Sequence, residues 1–511
     1  MSSIWSAETK LPEFAPLSGC KTADVAVIGG GAAGILTAYL LGLQGASAVV
    51  LEADRILSGA TKNTTAKITA QHGLIYSRLI RKFGLDFAQG YAQANRDAIA
   101  KYAELVRQNQ IGCDFQECAA FCYDRENPEE IERETRDAER LGFSALFTKQ
   151  TELPFPVAGA VRFGGQARFQ PLAFFGVLAR GLTVFEHTRA RSIENGCVMT
   201  DRGRVDAPHI VVATHFPFLD RPGYYFVRMY QQRSYVLALE NAAELSDVYL
   251  DAKDGGLSFR GFRNLLLLGG GGHRCGKFRE GCGYAPLRLA AREYYPQSRE
   301  LFHWSAQDCM TADGVPYAGR YSSVLPGVYV ATGFQKWGMT GSMAAAMLLS
   351  DELCGKASPY AQVFSPQRFF PAACAAGFAS NGAHAVAGIA KRIFYLPAGG
   401  PEKIGKGRAG VVQDQGEKTG IYRDEEGNAF AVTTKCPHLG CELSWNPDEK
   451  SWDCPCHGSR FDFRGNLIDN PAGKGLAHKT PEADAENQSF SSRFKKIDSP
   501  HPLPAFYGQA P

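Results

Sequence analysis

Four cysteines and two histidines crowd into CPHLGCELSWNPDEKSWDCPCHGSRFD, residues 436–462. Cysteine and histidine at this density usually hold metal. Cys436 and His438 make one pair, and Cys454 and His457 make another after fifteen intervening residues. Zinc accepts two cysteines and two histidines, but its fingers group like with like, as C-x-x-C and H-x-x-x-H. Each pair here supplies one of each kind. A [2Fe–2S] centre in which two cysteines hold one iron and two histidines the other needs that mixture. Zinc stays open as the alternative.

A second chemistry is written near the start. Residues 24–34 read DVAVIGGGAAG. The apolar run Val25 to Ile28 breaks into glycines, and a helical pattern follows from Ile35 to Leu43, which predicts strand, tight turn, helix. Gly29, Gly31 and Gly34 fit G-x-G-x-x-G in that context. The first permits the turn, the second admits a pyrophosphate to the backbone, and the third lets helix and strand pack closely. The next apolar run, SAVVLE (47–52), ends in Glu52, an acid about 20 residues past the glycines and placed for a ribose hydroxyl. These features leave FAD or NAD open. PGVYVATGFQKWGMTGSMAAAMLLSDEL (326–353) favours FAD. Val328 to Thr332 reads as a buried strand, Gly333 and Gly338 flank a loop, and Met339 begins a helix. Its N-terminus would face the same site, where flavoproteins use such a dipole to stabilise charge on the N1–C2=O edge of the reduced ring. A glycine-flanked turn in the sheet core is the alternative. LLLLGGGGHRCG (265–276) comes nearest to a second nucleotide turn, but Arg274 or Cys275 stands at the third glycine position, which argues against NAD(P)H.

From about 20 to 365 the chain resembles the D-amino-acid oxidase, glycine oxidase and sarcosine oxidase superfamily of FAD enzymes. The matching pieces are the turn at 29–34, LEADRILSGAT (51–61), VVATHFP (211–217), WSAQDCMTADGVPYAGR (304–320) and ATGFQKWGMT (331–340). The resemblance implies that Glu52 binds the adenosine ribose and that Thr61, Asn63, Thr64 and Thr65 reach the pyrophosphate and flavin. Sarcosine-oxidase-like members carry an oxygen-activating lysine where this chain has Thr340. That departure favours a dehydrogenase, with Lys336 four residues earlier as a stand-in. The C-terminal stretch resembles the Rieske proteins of cytochrome bc complexes, which implies a disulfide between Cys441 and Cys456. Ser459 retains the hydroxyl those proteins aim at a bridging sulfide. Phe461 replaces a tyrosine, which implies a lower potential. The resemblance implies that Asn470-Pro471-Ala472 is the counterpart of those proteins' proline-bearing loop over the cluster. The whole chain, including NTTAKITAQHGLIY (63–76), resembles bacterial FAD-dependent oxidoreductases with a C-terminal Rieske domain.

The elements that must position these groups follow. The expected fold is an α/β FAD-binding (Rossmann-like) domain with an interleaved α+β substrate domain, plus a C-terminal all-β Rieske domain. The FAD-binding parts fall at about 20–80, 150–220 and 305–365, and the substrate parts at about 80–150 and 220–305. A connecting helix and linker fill 366–410, the Rieske domain 411–485, and a tail 486–511. The charge run RENPEEIERETRDAERLG (125–142) reads as a solvated helix face. His273, Arg233, Tyr235, Trp304, Gln307 and Arg320 are candidates for the substrate side, an arginine being suited to clamp a carboxylate; His273, Lys336 and Thr340 are the catalytic candidates.

Composition is that of an ordinary globular chain, with 45% hydrophobic and 21% charged residues among 511. A net charge of +3 gives no reason to expect nucleic acid. The apolar segment 369–390 carries Ser380, Asn381 and His384, so a connecting helix is expected rather than a membrane span. The N-terminus shows no signal-peptide pattern, and ten of fourteen cysteines lack a framework, so a cytoplasmic location is expected. The combined expectation is oxidation of a small amine or amino acid by hydride transfer to FAD, with a [2Fe–2S] outlet to a ferredoxin, cytochrome or quinone. Reversed electron flow, or a relay with no small substrate, is the alternative.

Overall fold

The computed structural model describes residues 2–479 except 369, 395, 396, 398 and 415; the tail expected at 486–511 lies outside them. The strand Val25–Ile28 is apolar at every position and buried on both faces, as the centre of a parallel sheet must be. Its neighbours are Ala48–Leu51 on one side and His209–Val212 on the other, both parallel. Thr183–Phe185 and Val328–Thr332 extend the sheet, and Tyr317–Arg320 closes one edge antiparallel. The helices Ala32–Leu43 and Gly338–Leu353 pack together beside this sheet, where Ile35, Leu36, Met343 and Leu349 are buried in the same core as Val25 and Val27.

A nine-stranded sheet stands beside it, running from Arg299–Thr311 through Met229–Glu240, Leu265–Arg274, Ser258–Phe262, Val248–Asp251, Gln116–Asp124 and Gly159–Arg168 to Lys67–Ile68, with Ala145–Thr148 also on Gly159–Arg168. Lys67–Ile68, expected with the FAD-binding parts, is instead the end strand of this sheet. Gly159–Arg168 likewise belongs to this sheet rather than to the FAD-binding parts, because its partner is Gln116–Asp124, a strand of the expected substrate part.

The expected connecting helix is Pro371–Phe394. It leads to two four-stranded antiparallel sheets: Ala409–Asp414, Glu417–Arg423, Ala429–Thr433 and His478–Lys479, then Ser444–Asn446, Ser451–Asp453, Arg460–Asp462 and Leu467–Asp469. Among the described residues no helix is long and apolar enough to cross a membrane.

Candidate FAD and iron–sulfur site

The glycine turn is built by backbone contact. Gly29 has φ +112°, and a Cβ there would stand 2.4 Å from the Ala213 carbonyl oxygen. A Cβ on Gly34 would stand 1.9 Å from the Gly29 carbonyl oxygen, so the helix lies directly on the turn. Gly31, the residue before the helix, is different: a Cβ there would meet nothing nearer than Thr61 Oγ1 at 3.6 Å. It opens onto a cavity of about 1020 Å³. That is the cradle a pyrophosphate needs at a helix N-terminus. Thr61 Oγ1 accepts from the Ala32 amide at 3.0 Å and orders the first turn. The Glu52 carboxylate accepts from the Gly30 and Asp54 amides at 2.8 and 2.9 Å. Burial raises its pKa, against those hydrogen bonds.

The cavity brings Gly29, Gly31, Glu52, Thr61, Asn63, Thr64, Thr65, Lys336, Gly338 and Met339 together. Gly34, Gly333 and Thr340 stand behind its wall. A Cβ on Gly333 would lie 2.4 Å from Thr311 Cγ2, and the Thr340 hydroxyl donates to the Thr69 carbonyl at 3.0 Å. Trp304 Nε1 donates to the Asn63 carbonyl at 3.0 Å and so fixes the loop. Lys336 Nζ pairs with Asp254 Oδ1 at 3.0 Å. His273 does not reach the cavity: its Nε2 meets Tyr235 Oη at 3.0 Å and its Nδ1 the Arg274 carbonyl at 2.8 Å. Arg320 is exposed on the edge strand, away from the cavity. Lys67, unmarked by the sequence except within NTTAKITAQHGLIY, lines the cavity, and burial, then the charge of Arg260, pushes it down to about 7.

At the other end, Cys436, His438, Cys454 and His457 converge on two loops, and all four are buried. Cys441 and Cys456 form a disulfide that ties the loops together, its two sulfurs within 4.8 Å of Cys454 Sγ. The imidazoles of His438 and His457 lie 5.0 Å apart, and each has a buried Nδ1 without a hydrogen-bond partner. An orphaned buried nitrogen is costly unless something binds it. Two such nitrogens beside two thiols make the donor set of a [2Fe–2S] centre. With Nδ1 as ligand, Nε2 carries the proton, and His438 Nε2 donates to Asp220 Oδ1 at 2.9 Å. Phe226 sits edge-on to both histidines, 6.2 and 5.7 Å away. Ser459 Oγ is fully buried and accepts from the Ala472 amide at 3.0 Å, and Phe461 packs in the domain core.

Residues 24–352 match the family model for FAD dependent oxidoreductases, and residues 395–480 match the Rieske [2Fe-2S] domain. The chain belongs to the FAD dependent oxidoreductase family. It carries a Rieske domain at its C-terminal end, and its cofactors are FAD and a [2Fe–2S] cluster. The FAD dependent oxidoreductase is 37% identical over 489 residues to YhfW of Bacillus subtilis (strain 168), named as a Rieske 2Fe-2S iron–sulfur protein; the match covers 92% of this chain and 96% of that one. Cytochrome b6-f complex iron-sulfur subunit 2 of Trichormus variabilis is 38% identical over 71 residues, 14% of this chain and 40% of that protein. In fold, the oxidoreductase is similar to glycine oxidase from Geobacillus kaustophilus, with TM-score 0.58, 20% identity, and 68% and 99% of the two chains covered. L-amino acid deaminase from Proteus vulgaris gives TM-score 0.56, 18% identity, and 71% and 97% coverage.

The contacts between the two domains were not legible as a motif. LLLLGGGGHRCG is the seat of the cluster loop. A Cβ on Gly276 would lie 2.5 Å from Pro455 N, Arg274 donates to the carbonyls of Pro455 and Cys456 at 3.3 and 3.1 Å, and burial lowers its pKa to about 10. Gln231 Nε2 donates to the carbonyls of His457 and Asn470, both at 2.8 Å.

Proposed function

We propose that this oxidoreductase is a dehydrogenase that oxidises a small amine or amino acid at FAD and passes the electrons singly through the Rieske cluster to an external acceptor. FAD supplies two-electron oxidation of a C–H bond next to nitrogen, and the cluster supplies a one-electron outlet. One observation carries the reading: a single cavity is lined both by Gly29, Gly31 and Glu52 and by Pro437 and His438.

The chain's own residues support it. Thr61 orders the turn that holds the dinucleotide, and Trp304 holds the loop at Asn63. Asp220 and Phe226 cover the histidine edge of the cluster from the flavin domain, so the edge faces inward rather than to solvent. The names of the two similar structures, an oxidase and a deaminase of amino acids, support the amine or amino-acid class. Thr340 in place of a lysine, and Lys336 engaged by Asp254, support an outlet other than oxygen.

The test is an anaerobic titration of the loaded protein with a panel of amines and amino acids, following both chromophores. A substrate is expected to bleach the flavin band and then raise the rhombic paramagnetic signal of the reduced cluster. Reduction of both centres by dithionite but by no amine or amino acid would end the reading. Reduction by a ferredoxin alone would favour the reverse flow.

A further inference from the structure

The far wall of the cavity lies where the strands Met229–Glu240 and Arg299–Thr311 meet the Rieske hairpin joining Ser444–Asn446 to Ser451–Asp453. Cations on this wall already have anions. Arg233, 2% exposed, donates from Nη2 to Glu449 Oε2 at 3.0 Å. Ser305 Oγ donates to the same oxygen at 2.6 Å, and Tyr284 Oη to Glu449 Oε1 at 2.9 Å. Lys336 is held by Asp254, and Arg460 by Asp453 and Asp469 at 3.1 and 2.9 Å. Lys67, also on the cavity, sits at about 7 and carries only part of a charge near neutrality.

Asp308 is the contrast. It lines the cavity, accepts from Ser234 Oγ at 3.4 Å, and makes no ion pair among the described residues. The Gln335 amide donates to the Cys309 carbonyl at 2.9 Å, which binds the loop ahead of Gly338–Leu353 to the strand beside Asp308. Asp308 therefore stands close to the helix N-terminus that faces the cofactor region.

We propose that the cavity takes an amine without an α-carboxylate, with Asp308 binding the substrate's ammonium group and Glu449, delivered by the Rieske domain, occupying the carboxylate position on Arg233. The inference rests on the amine-oxidation reading above and narrows it. An amino acid brings a carboxylate that calls for a free guanidinium edge, and Glu449 Oε2 already takes Nη2 of the Arg233 edge whose Nε is buried without a partner. A half-buried carboxylate with no cation in ion-pair contact is a site that gains from a bound cation. Burial pushes Asp308 up to about 6, against the opposing charges of Lys336 and Arg233, as the lack of a close partner requires. The specificity of the flavin site is then set partly by the electron-outlet domain, which fills the position an amino acid would need.

The test is titration calorimetry on the full-length protein with both cofactors, using n-butylamine and L-norvaline, which differ by the α-carboxylate alone. The wild type is expected to bind n-butylamine more tightly than L-norvaline, by roughly tenfold or more for one charge-assisted contact. Asp308→Asn is expected to lose about tenfold in n-butylamine binding, and Glu449→Gln to gain about tenfold for L-norvaline as Arg233 is freed. Should Glu449→Gln fail to retain the cluster's absorption, Asp308→Asn still decides. Equal or tighter binding of L-norvaline by the wild type, no binding of n-butylamine, or an unaltered n-butylamine affinity in Asp308→Asn would overturn the proposal. If L-norvaline reduces the flavin of the wild type, amine oxidation stands and this inference alone falls.

Discussion

Arg368 and Asp313 show how much a single buried pair controls here. Their side chains are 3% and 1% exposed. Arg368 Nε donates to Asp313 Oδ2 at 2.7 Å, Nη2 to Oδ1 at 3.0 Å, and Nη1 to the Pro316 carbonyl at 2.7 Å. The pair pins the chain just before the helix Pro371–Phe394 that leads to the Rieske domain. Burial alone would raise Asp313, but the guanidinium, its hydrogen bonds, the Val315 amide and Thr311 outweigh burial and hold it below its ordinary 3.8. A carboxylate depressed on folding stabilises the fold above its ordinary pKa, and that stability is lost as pH falls through the lower folded value. Arg368→Met leaves the carboxylate buried and alone, at an expected cost of about 3–5 kcal/mol. The measurement is Tm against pH: a deficit at neutral pH that shrinks below the ordinary carboxylate range. An undiminished Tm at neutral pH would show that the pair is idle.

The strand Leu265–Arg274 explains what was legible and what was not. Its glycine run looks in sequence like a failed nucleotide turn, because glycine serves both uses in the same way, by letting backbone come close. In the fold, a Cβ on Gly271 would lie 2.2 Å from the Gly283 carbonyl oxygen, so the run packs against protein and seats the cluster loop. The turn at Gly29–Gly34, the strand Val328–Thr332 and the two Cys/His pairs at 436–438 and 454–457 could be read because each is local, its pattern set by residues a few positions apart. The partnership of Arg233 with Glu449 spans 216 residues, and that of Gln231 with His457 spans 226, so spacing carries no trace of either. Gln231 tests the docking. Its Nε2 holds the His457 and Asn470 carbonyls, and its Oε1 accepts from Gln307 Nε2 at 2.7 Å. Gln231→Leu leaves these groups buried without a partner, at about 1–3 kcal/mol. Rapid-mixing spectroscopy is expected to show substrate reducing the flavin at the wild-type rate while the cluster lags. Unchanged kinetics at both centres would mean that Gln231 plays no part in docking.

At the scale of the whole molecule, the imidazoles of His438 and His457 face inward. Asp220 of the flavin domain accepts from His438, Phe226 lies against both imidazoles, and Pro437 and His438 line the same cavity as Gly29. The helix Pro371–Phe394 backs the arrangement: a Cβ on Gly388 would lie 2.7 Å from Cys456 Sγ, and Asn381 Oδ1 accepts from Arg274 Nη1 at 3.1 Å. The connection is thus packed against both domains rather than strung between them. On the proposed route, an external acceptor would have the outer side of the ligand loop, where Leu439 is 45% exposed. Delivery of electrons to the cluster is therefore expected to be intramolecular. In anaerobic stopped flow with a reducing substrate, the cluster should be reduced after the flavin at a rate independent of enzyme concentration. Added salt should leave that rate unchanged, because the contacts that seat the loop are hydrogen bonds of buried groups, which ions screen little. A rate that rises in proportion to enzyme concentration would mean that each cluster is served by another molecule's flavin, and the packed interface would then have no kinetic role.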